Sequence, residues 1–543
     1  MTRSLTAASI AILSCVAHAN GQSPQRAVAD IILTGGKVFT SDSTHRWAEA
    51  VAIRGERIMA VGSTAEVRRF ASRTTREIAL DGRVVIPGIN DAHDHVGDGM
   101  MPGEFRTGTS PTPNPTLAQV LDSIRALAAR APAGMWITTP IGLAILNDTA
   151  ARRGVLDRAA SGHPVFLTAW WGHGVVLNTT ALRALEIAET AADPLGGWYE
   201  RDATGKVTGR LDEYAGWGAL RQIYSALPAR VIVAGLRTFA TASLAMGVTS
   251  VQDMAGYYTP QLTERMLRDA RLPIRVRVIR WSIPNASGRN EKEWDIARNP
   301  SPRVTVSGRK WVLDATPIEQ FALMRRSYPT RPGWYGRLDF PLDTVRAMLR
   351  GALAPGAAQL HLHVVGDSTT ELVLSAMEAI APDSVWRSRR VRFEHGNGIV
   401  GAQVERARRL GIVIAQPRPG TPLRSWIRAG IPLAYGSDNL RNPFYNMLGA
   451  ISGRAGDSTE TITREQAVDM YTRGSAYAEF AEHEKGTLAP GMLADLAVLS
   501  QDIFMIPVQA LPGTTSLLTL VGGRIVRDEL SGAAQPKRGG DVH

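Results

Sequence analysis

Cysteine is almost missing from this chain: there is one in 543 residues, Cys15. A disulfide framework needs pairs and is excluded. Lysine is nearly as scarce, six residues against 55 arginines. The net charge of +11 is therefore an arginine excess, and no run reaches five consecutive basic residues. Nucleic-acid binding normally shows a basic patch or a recognisable motif, and neither is present. Beyond the N-terminal leader discussed next, long apolar runs are missing too: no segment reaches the roughly 18 residues that a membrane-spanning helix needs. Fixed-period repeats and low-complexity tracts are absent, which excludes a solenoid or a fibrous chain. What remains is an ordinary globular composition, 44% hydrophobic and 20% charged. The length predicts one large domain plus a smaller unit.

The first residues read as an export signal. Arg3 precedes an apolar stretch over 5–16, and Ala17-His18-Ala19 fits the A-x-A cleavage pattern. Removal of residues 1–19 would start a cysteine-free mature chain near Asn20, in the periplasm or outside the cell. Ile12-Leu13-Ser14-Cys15 is a poor lipoprotein signal, so a lipid anchor is the weaker alternative. Residues 29–80 hold short strands around Gly35-Gly36 and Gly55, and 485–500 with 515–528 repeat the style at the other end. The segments 29–87 and 486–530 are expected to form one composite β-sandwich. The Gly- and Pro-containing charged tail over 531–543 is expected to be disordered.

Between these ends, short apolar segments alternate with helical ones, which argues for a parallel β/α architecture over 88–485. Strands are expected at 84–93, 165–171, 248–253, 274–279, 310–314, 359–365, 391–395, 412–416 and 433–437. Helices are expected at 116–131, 343–354, 369–380 and 464–476. Nine candidates for the eight strands of a barrel mean that one is extra. The stretch 102–230, long and interrupted by Gly and Pro, reads as an insertion that helps cover the mouth.

Chemistry-bearing residues cluster at the strand ends. His93 and His95 lie two apart in PGINDAHDHVGDG, and His361 and His363 lie two apart in QLHLHVVGD. On a strand, that spacing sends both side chains to one face. Glu394 and His395 close a third strand, and Ser437 and Asp438 follow a fourth. Any one of these alone is more often structural. Imidazoles and a carboxylate converging from separate strands make a divalent metal site. Lys310 stands out in an arginine-rich chain, because a desolvated amine can lose its proton and become carboxylated, which a guanidinium cannot. His45, His163, His483 and His543 read as surface residues, Trp170 and Trp171 as core packing, and Asp367 as a loop-fixing residue.

PGINDAHDH, GHGVVLNTTAL, GVTSVQD, the Lys310 strand, HVVGD, FEHG, GSD and GTLAPGMLADLAVL follow one another in an order that resembles the amidohydrolase superfamily. The likeness runs over roughly 30–528 and is strongest to the third amidohydrolase branch, which includes N-substituted formamide deformylase-like enzymes. It implies an α/β fold: a (β/α)8 TIM-type barrel with a composite β-sandwich. It implies one or two divalent metal ions, zinc first. His93 and His95 would hold one metal, His363 and His395 a second, and a carboxylated Lys310 would bridge them. Asp438 would be both a metal-site residue and the general base. His173, in GHGVVLN, would lie near the substrate, and His361 has no ligand counterpart. Asp314-Ala315-Thr316-Pro317-Ile318-Glu319 replaces the Asp-Gly-Ser-Leu type segment of many relatives.

Three functions stay open at this point. The first is hydrolysis of an amide-type C–N bond in a small, non-peptide substrate. The second is deamination or cyclic-imide hydrolysis on the same scaffold. The third is an exported metal-binding protein without catalysis, which would have no use for a general base at Asp438. The expected partner is a small molecule, with no nucleic acid and no membrane span, and homo-oligomer formation stays open.

Overall fold

A computed structural model describes residues 28–97, 103–105, 110, 113–160, 162–417, 420–453 and 458–530. The expected signal (1–19) and tail (531–543) lie outside these residues. Eight strands form the central sheet: β1 (Ile89–Asp94), β2 (Val248–Ala255), β3 (Arg275–Trp281), β4 (Val304–Val312), β5 (Leu360–Val364), β6 (Arg392–His395), β7 (Val413–Ala415) and β8 (Leu433–Ala434). Each pairs in parallel with the next, and their order in the sheet is their order in the chain. β2 is buried along its whole length, as a strand with helices outside and a packed interior must be.

The ring shuts between its last and first strands through backbone beyond β8. Ala92 N–H donates to Tyr435 O at 2.8 Å, and Asp438 N–H donates to His93 O at 2.8 Å. Gly436 sits on this seam, where a Cβ would lie 2.4 Å from His93 N. Only a residue without a side chain lets the two segments meet. This is a (β/α)8 barrel. Helices follow most strands, among them Pro260–Ala270 after β2, Leu342–Ala352 before β5, Asp367–Ile380 after β5 and Ala402–Leu410 after β6. The connection from β3 to β4 is different, with only the 3-10 turn Glu291–Trp294.

Two further sheets lie at the chain ends. Ile31–Thr34, Ala50–Arg54, Arg57–Gly62 and Arg76–Ala79 form one of them. The other joins both ends of the chain, with Leu496–Leu499 pairing antiparallel to Val84–Pro87. Leu33, Val51, Ile53, Val85, Leu496 and Leu518 share one apolar cluster between the sheets.

Several expected elements change here. The ninth strand candidate, 165–171, is not a barrel strand: Val165–Ala169 belongs to a five-stranded sheet inside the insertion, with a separate core around Ile137, Leu156 and Leu167. The single strand expected over 84–93 is two strands in two sheets, Val84–Pro87 and Ile89–Asp94. The break falls at Gly88, where a Cβ would meet Thr249 Oγ1 at 2.2 Å. The helix expected over 464–476 is interrupted by a π turn, Met470–Gly474. There the Met470 carbonyl accepts from Tyr435 N–H and Ser475 Oγ, which pulls the ladder out of register. His163 is buried rather than on the surface, its Nδ1 3.1 Å from Met135 O.

Gly436→Ala should destabilise the fold by about 1–3 kcal/mol, the usual cost of overpacking. Urea unfolding checks this, and an unchanged midpoint would show that the seam tolerates a side chain.

Candidate metal centre

His93 lies in β1 and His95 just past its end, with ring centroids 5.5 Å apart. Both face the mouth at the C-terminal end of the barrel, where barrel enzymes carry their chemistry. β5 brings His363 and β6 brings His395, with ring centroids 4.6 Å apart, and His395 lies 5.4 Å from His93. β4 brings Lys310, whose Nζ is 3.4 Å from His93 Nε2. Asp438 arrives from beyond β8, its Oδ1 3.5 Å from His95 Nε2 and 3.7 Å from His93 Nε2, its Oδ2 4.0 Å from His395 Nε2. The six side chains singled out in the sequence as metal-site candidates thus meet at one mouth.

The histidine rings are held from behind. His93 Nδ1 is 2.6 Å from Glu394 Oε2, His95 Nδ1 is 3.2 Å from Met254 O, and His395 Nδ1 is 3.2 Å from Gln416 O. An Nδ1–H that donates outward leaves the Nε2 lone pair of a neutral imidazole facing in, as a metal ligand needs. His363 Nε2 is buried with no hydrogen-bond partner among the described residues. Such an orphan is unfavourable unless something else takes its lone pair, and a cation does so. The ligand atoms of His93, His95 and Asp438 lie within 4.8 Å of one another. The residues present therefore fit a divalent ion.

The electrostatics agree. Burial, with Lys310 nearby, pushes the His93 imidazole down to about 4. Burial and the adjacent His395 hold His363 well below the ordinary histidine value. Both rings are neutral at pH 7. Burial pushes the Lys310 amine down to about 8, with Nζ 4.7 Å from the Trp281 ring centre. Left-handed backbone marks the turns into the mouth: φ is +71° at His395, +55° at Gln416, +45° at Asp438 and +70° at Asn439. Such conformations cost roughly 1–3 kcal/mol each and cluster at functional sites.

The amidohydrolase family model matches residues 76–527. This chain belongs to the amidohydrolase family. It is 26% identical to the protein LONG AFTER FAR-RED 3 of Arabidopsis thaliana, with 92% of each chain covered. It is 26% identical to N-substituted formamide deformylase of Arthrobacter pascens, covering 93% of this chain and 99% of that one. A solved structure of an uncharacterised metal-dependent hydrolase from Pyrococcus furiosus superposes with a TM-score of 0.65 at 20% identity, over 87% of this chain and 99% of that one.

In this amidohydrolase the support beneath the mouth is Glu394. Its carboxylate lies 2.6 Å from His93 Nδ1, 3.0 Å from His361 Nδ1 and 3.0 Å from Arg392 Nε. Burial alone would raise its carboxyl, but Arg392 and His93 hold it well below the ordinary range. In the sequence Glu394 is legible only as a carboxylate that closes a strand. His361 lies deeper than His363 on the same strand, and its Nε2 faces the backbone of Gly308.

His173 lands beside this group, its ring 5.2 Å from that of His363. Its Nδ1 is 3.0 Å from Glu213 Oε2. Burial alone would lower its imidazole, but Glu213 raises it to about 9. Glu319 completes a second buried cluster, with ligand atoms of His173, Glu213 and Glu319 within 4.8 Å of one another. Burial pushes the Glu319 carboxyl up to about 7. Glu213 and Glu319 escaped the sequence reading. Glu213 has no local motif, and the Thr-x-x-Glu spacing of Thr316 and Glu319 signals only a local turn, in which Thr316 N–H and Oγ1 both donate to the Glu319 carboxylate. Trp170 and Trp171 are half-buried, and Trp171 packs against the core of the insertion. Trp171 Nε1 donates to Glu319 Oε2 at 2.7 Å, tying the insertion to the mouth. Asp314 accepts from Val365 N, Gly366 N and Thr369 Oγ1 and fixes the turn after β5. Asp367 accepts from Arg325 N at 2.8 Å, a loop contact.

Glu394→Gln should weaken divalent-metal affinity about 10–100-fold, the usual effect of losing the outer partner of a ligating histidine. Chelator competition measures it, and wild-type affinity in the variant would remove Glu394 from this role.

Proposed function

We propose that this amidohydrolase cleaves a C–N bond of a small amide-type substrate at one or two divalent ions, zinc first. His93, His95, Lys310, His363, His395 and Asp438 would hold the metal, with Lys310 carboxylated as the bridge. The observation that carries this reading is the buried Lys310 amine set 3.4 Å from His93 Nε2 in an otherwise histidine-lined mouth. A lysine with its amine pushed down to about 8 has the neutral fraction at physiological pH that carboxylation requires. The similarity to N-substituted formamide deformylase supports amide-type chemistry.

A divalent ion at such a site makes water nucleophilic near neutral pH and polarises a carbonyl oxygen. The chain's own work is then proton transfer and orientation. The Asp438 carboxylate accepts a proton from the attacking water and returns it to the leaving nitrogen as the C–N bond breaks, giving a carboxylate and an amine. His173, charged and backed by Glu213, faces the substrate side and would hold its carbonyl or leaving group. Export to the periplasm or beyond, from the 1–19 signal, belongs to the same proposal.

Elemental mass spectrometry of the purified chain should find up to two divalent ions, falling to one or none in Lys310→Ala. Asp438→Asn should lower kcat by about 10²–10⁴-fold with far-UV circular dichroism unchanged. Product analysis on N-formyl amines, lactams and imides separates the outcomes: carboxylate plus amine supports the proposal, while ammonia release assigns a deaminase. A metal-free protein after reloading would overturn it.

A further inference from the structure

A (β/α)8 barrel normally lays a helix over the outside of each strand pair, and the β3–β4 connection supplies none. Its 3-10 turn, Glu291–Trp294, leaves the outer face of these strands flanked by the Leu342–Ala352 helix. A cavity of about 520 Å³ lies there, a volume in the range of small-molecule sites. Its lining divides by chemistry. Ile296, Val306, Met348 and Leu360 supply apolar surface, while Arg280, Arg289, Arg298 and Arg309 face a single carboxylate, Glu291.

That carboxylate is already shared, 3.0 Å from Arg289 Nη1 and 2.6 Å from Arg309 Nη1. Arg280 donates through Nε to the Gly308 carbonyl at 2.9 Å. Neither Arg280 nor Arg298 forms an ion pair with a described residue. Burial, with Arg309 and Arg298 alongside, holds the half-buried Arg280 guanidinium below its ordinary value. Arg298 stands exposed at the rim, while the half-buried Arg280, set against apolar surface without a carboxylate of its own, favours an anion beside it.

We propose that this cavity binds an organic anion, a carboxylate or phosphate monoester head on an apolar body, at a site separate from the metal mouth. Arg280 and Arg298 take the head, and the apolar wall takes the body. Alternation along the strands separates the two sites, because Arg309 and Trp311 point outward where Lys310 points into the barrel.

Decanoate is the probe, titrated into the metal-loaded protein and followed by hydrogen–deuterium exchange. Decanol serves as the neutral analogue and inorganic phosphate as the bare head. The expected result is saturable protection of 291–311 and 342–360, with decanol and phosphate at least about tenfold weaker. Arg280→Gln/Arg298→Gln should lower decanoate affinity by at least about tenfold and leave kcat/KM unchanged. Protection confined to 89–97, 361–366 and 436–442 would place decanoate at the metal mouth and overturn the proposal. No saturable binding, equal binding of decanol, or unchanged affinity in the double variant would overturn it as well. The wild-type exchange map and the decanol comparison decide the matter even where the variant fails to fold.

Discussion

The site depends on one seam. β1 and the segment after β8 meet through two backbone hydrogen bonds, Ala92 to Tyr435 and Asp438 to His93. Without that closure the two ends of the barrel sequence would be edges of an open sheet. His93 and His95 would then lie far from Asp438, and no mouth would exist. Gly436 is the local condition for the seam, since the close approach to His93 leaves no room for a Cβ. A 2.8 Å backbone contact thus brings together residues at opposite ends of the barrel sequence.

Around this seam the mouth is built by burial and by paired charge. Burial keeps His93 and His363 neutral, so these two rings present lone pairs rather than protons, and it lowers the Lys310 amine. The charge that must stay, on Glu394, is compensated by Arg392 and by the hydrogen bonds of His93 and His361. A buried carboxylate in this position orients two rings at once. The insertion reaches the mouth from the other side, through Trp171 to Glu319 and through the His173 ring packed beside His363. The result is a mouth whose two flanks are tied by buried polar contacts, which the low local dielectric strengthens.

The barrel's outside shows a different use of the same frame. A missing helix after β3 leaves arginines and apolar side chains lining one cavity, on the opposite face of the strands that carry Trp281 and Lys310. Function in such folds resides in sites carried by the frame, and one pair of strands can serve two faces.

The parallel β/α alternation, the candidate ligands His93, His95, Lys310, His363, His395 and Asp438, and the amidohydrolase resemblance were legible in the sequence. Each is a local signal: period-two spacing on short apolar strands, or a motif of a few residues. The split at Gly88 was not legible, because an unbroken apolar run does not say which sheet each half joins. The extra strand over 165–169 read like a barrel strand for the same reason, since apolar content encodes burial but not partner. Glu213, Glu319 and the work of Glu394 came only with the tertiary structure. Their roles rest on contacts across tens to hundreds of residues, His93 to Glu394 above all, and a pair so separated leaves no spacing to read. Sequence by itself determined which residue types are available for chemistry and that strands would carry them. Tertiary structure alone decided which of them meet, because barrel closure and burial set the distances on which ligation and proton transfer depend.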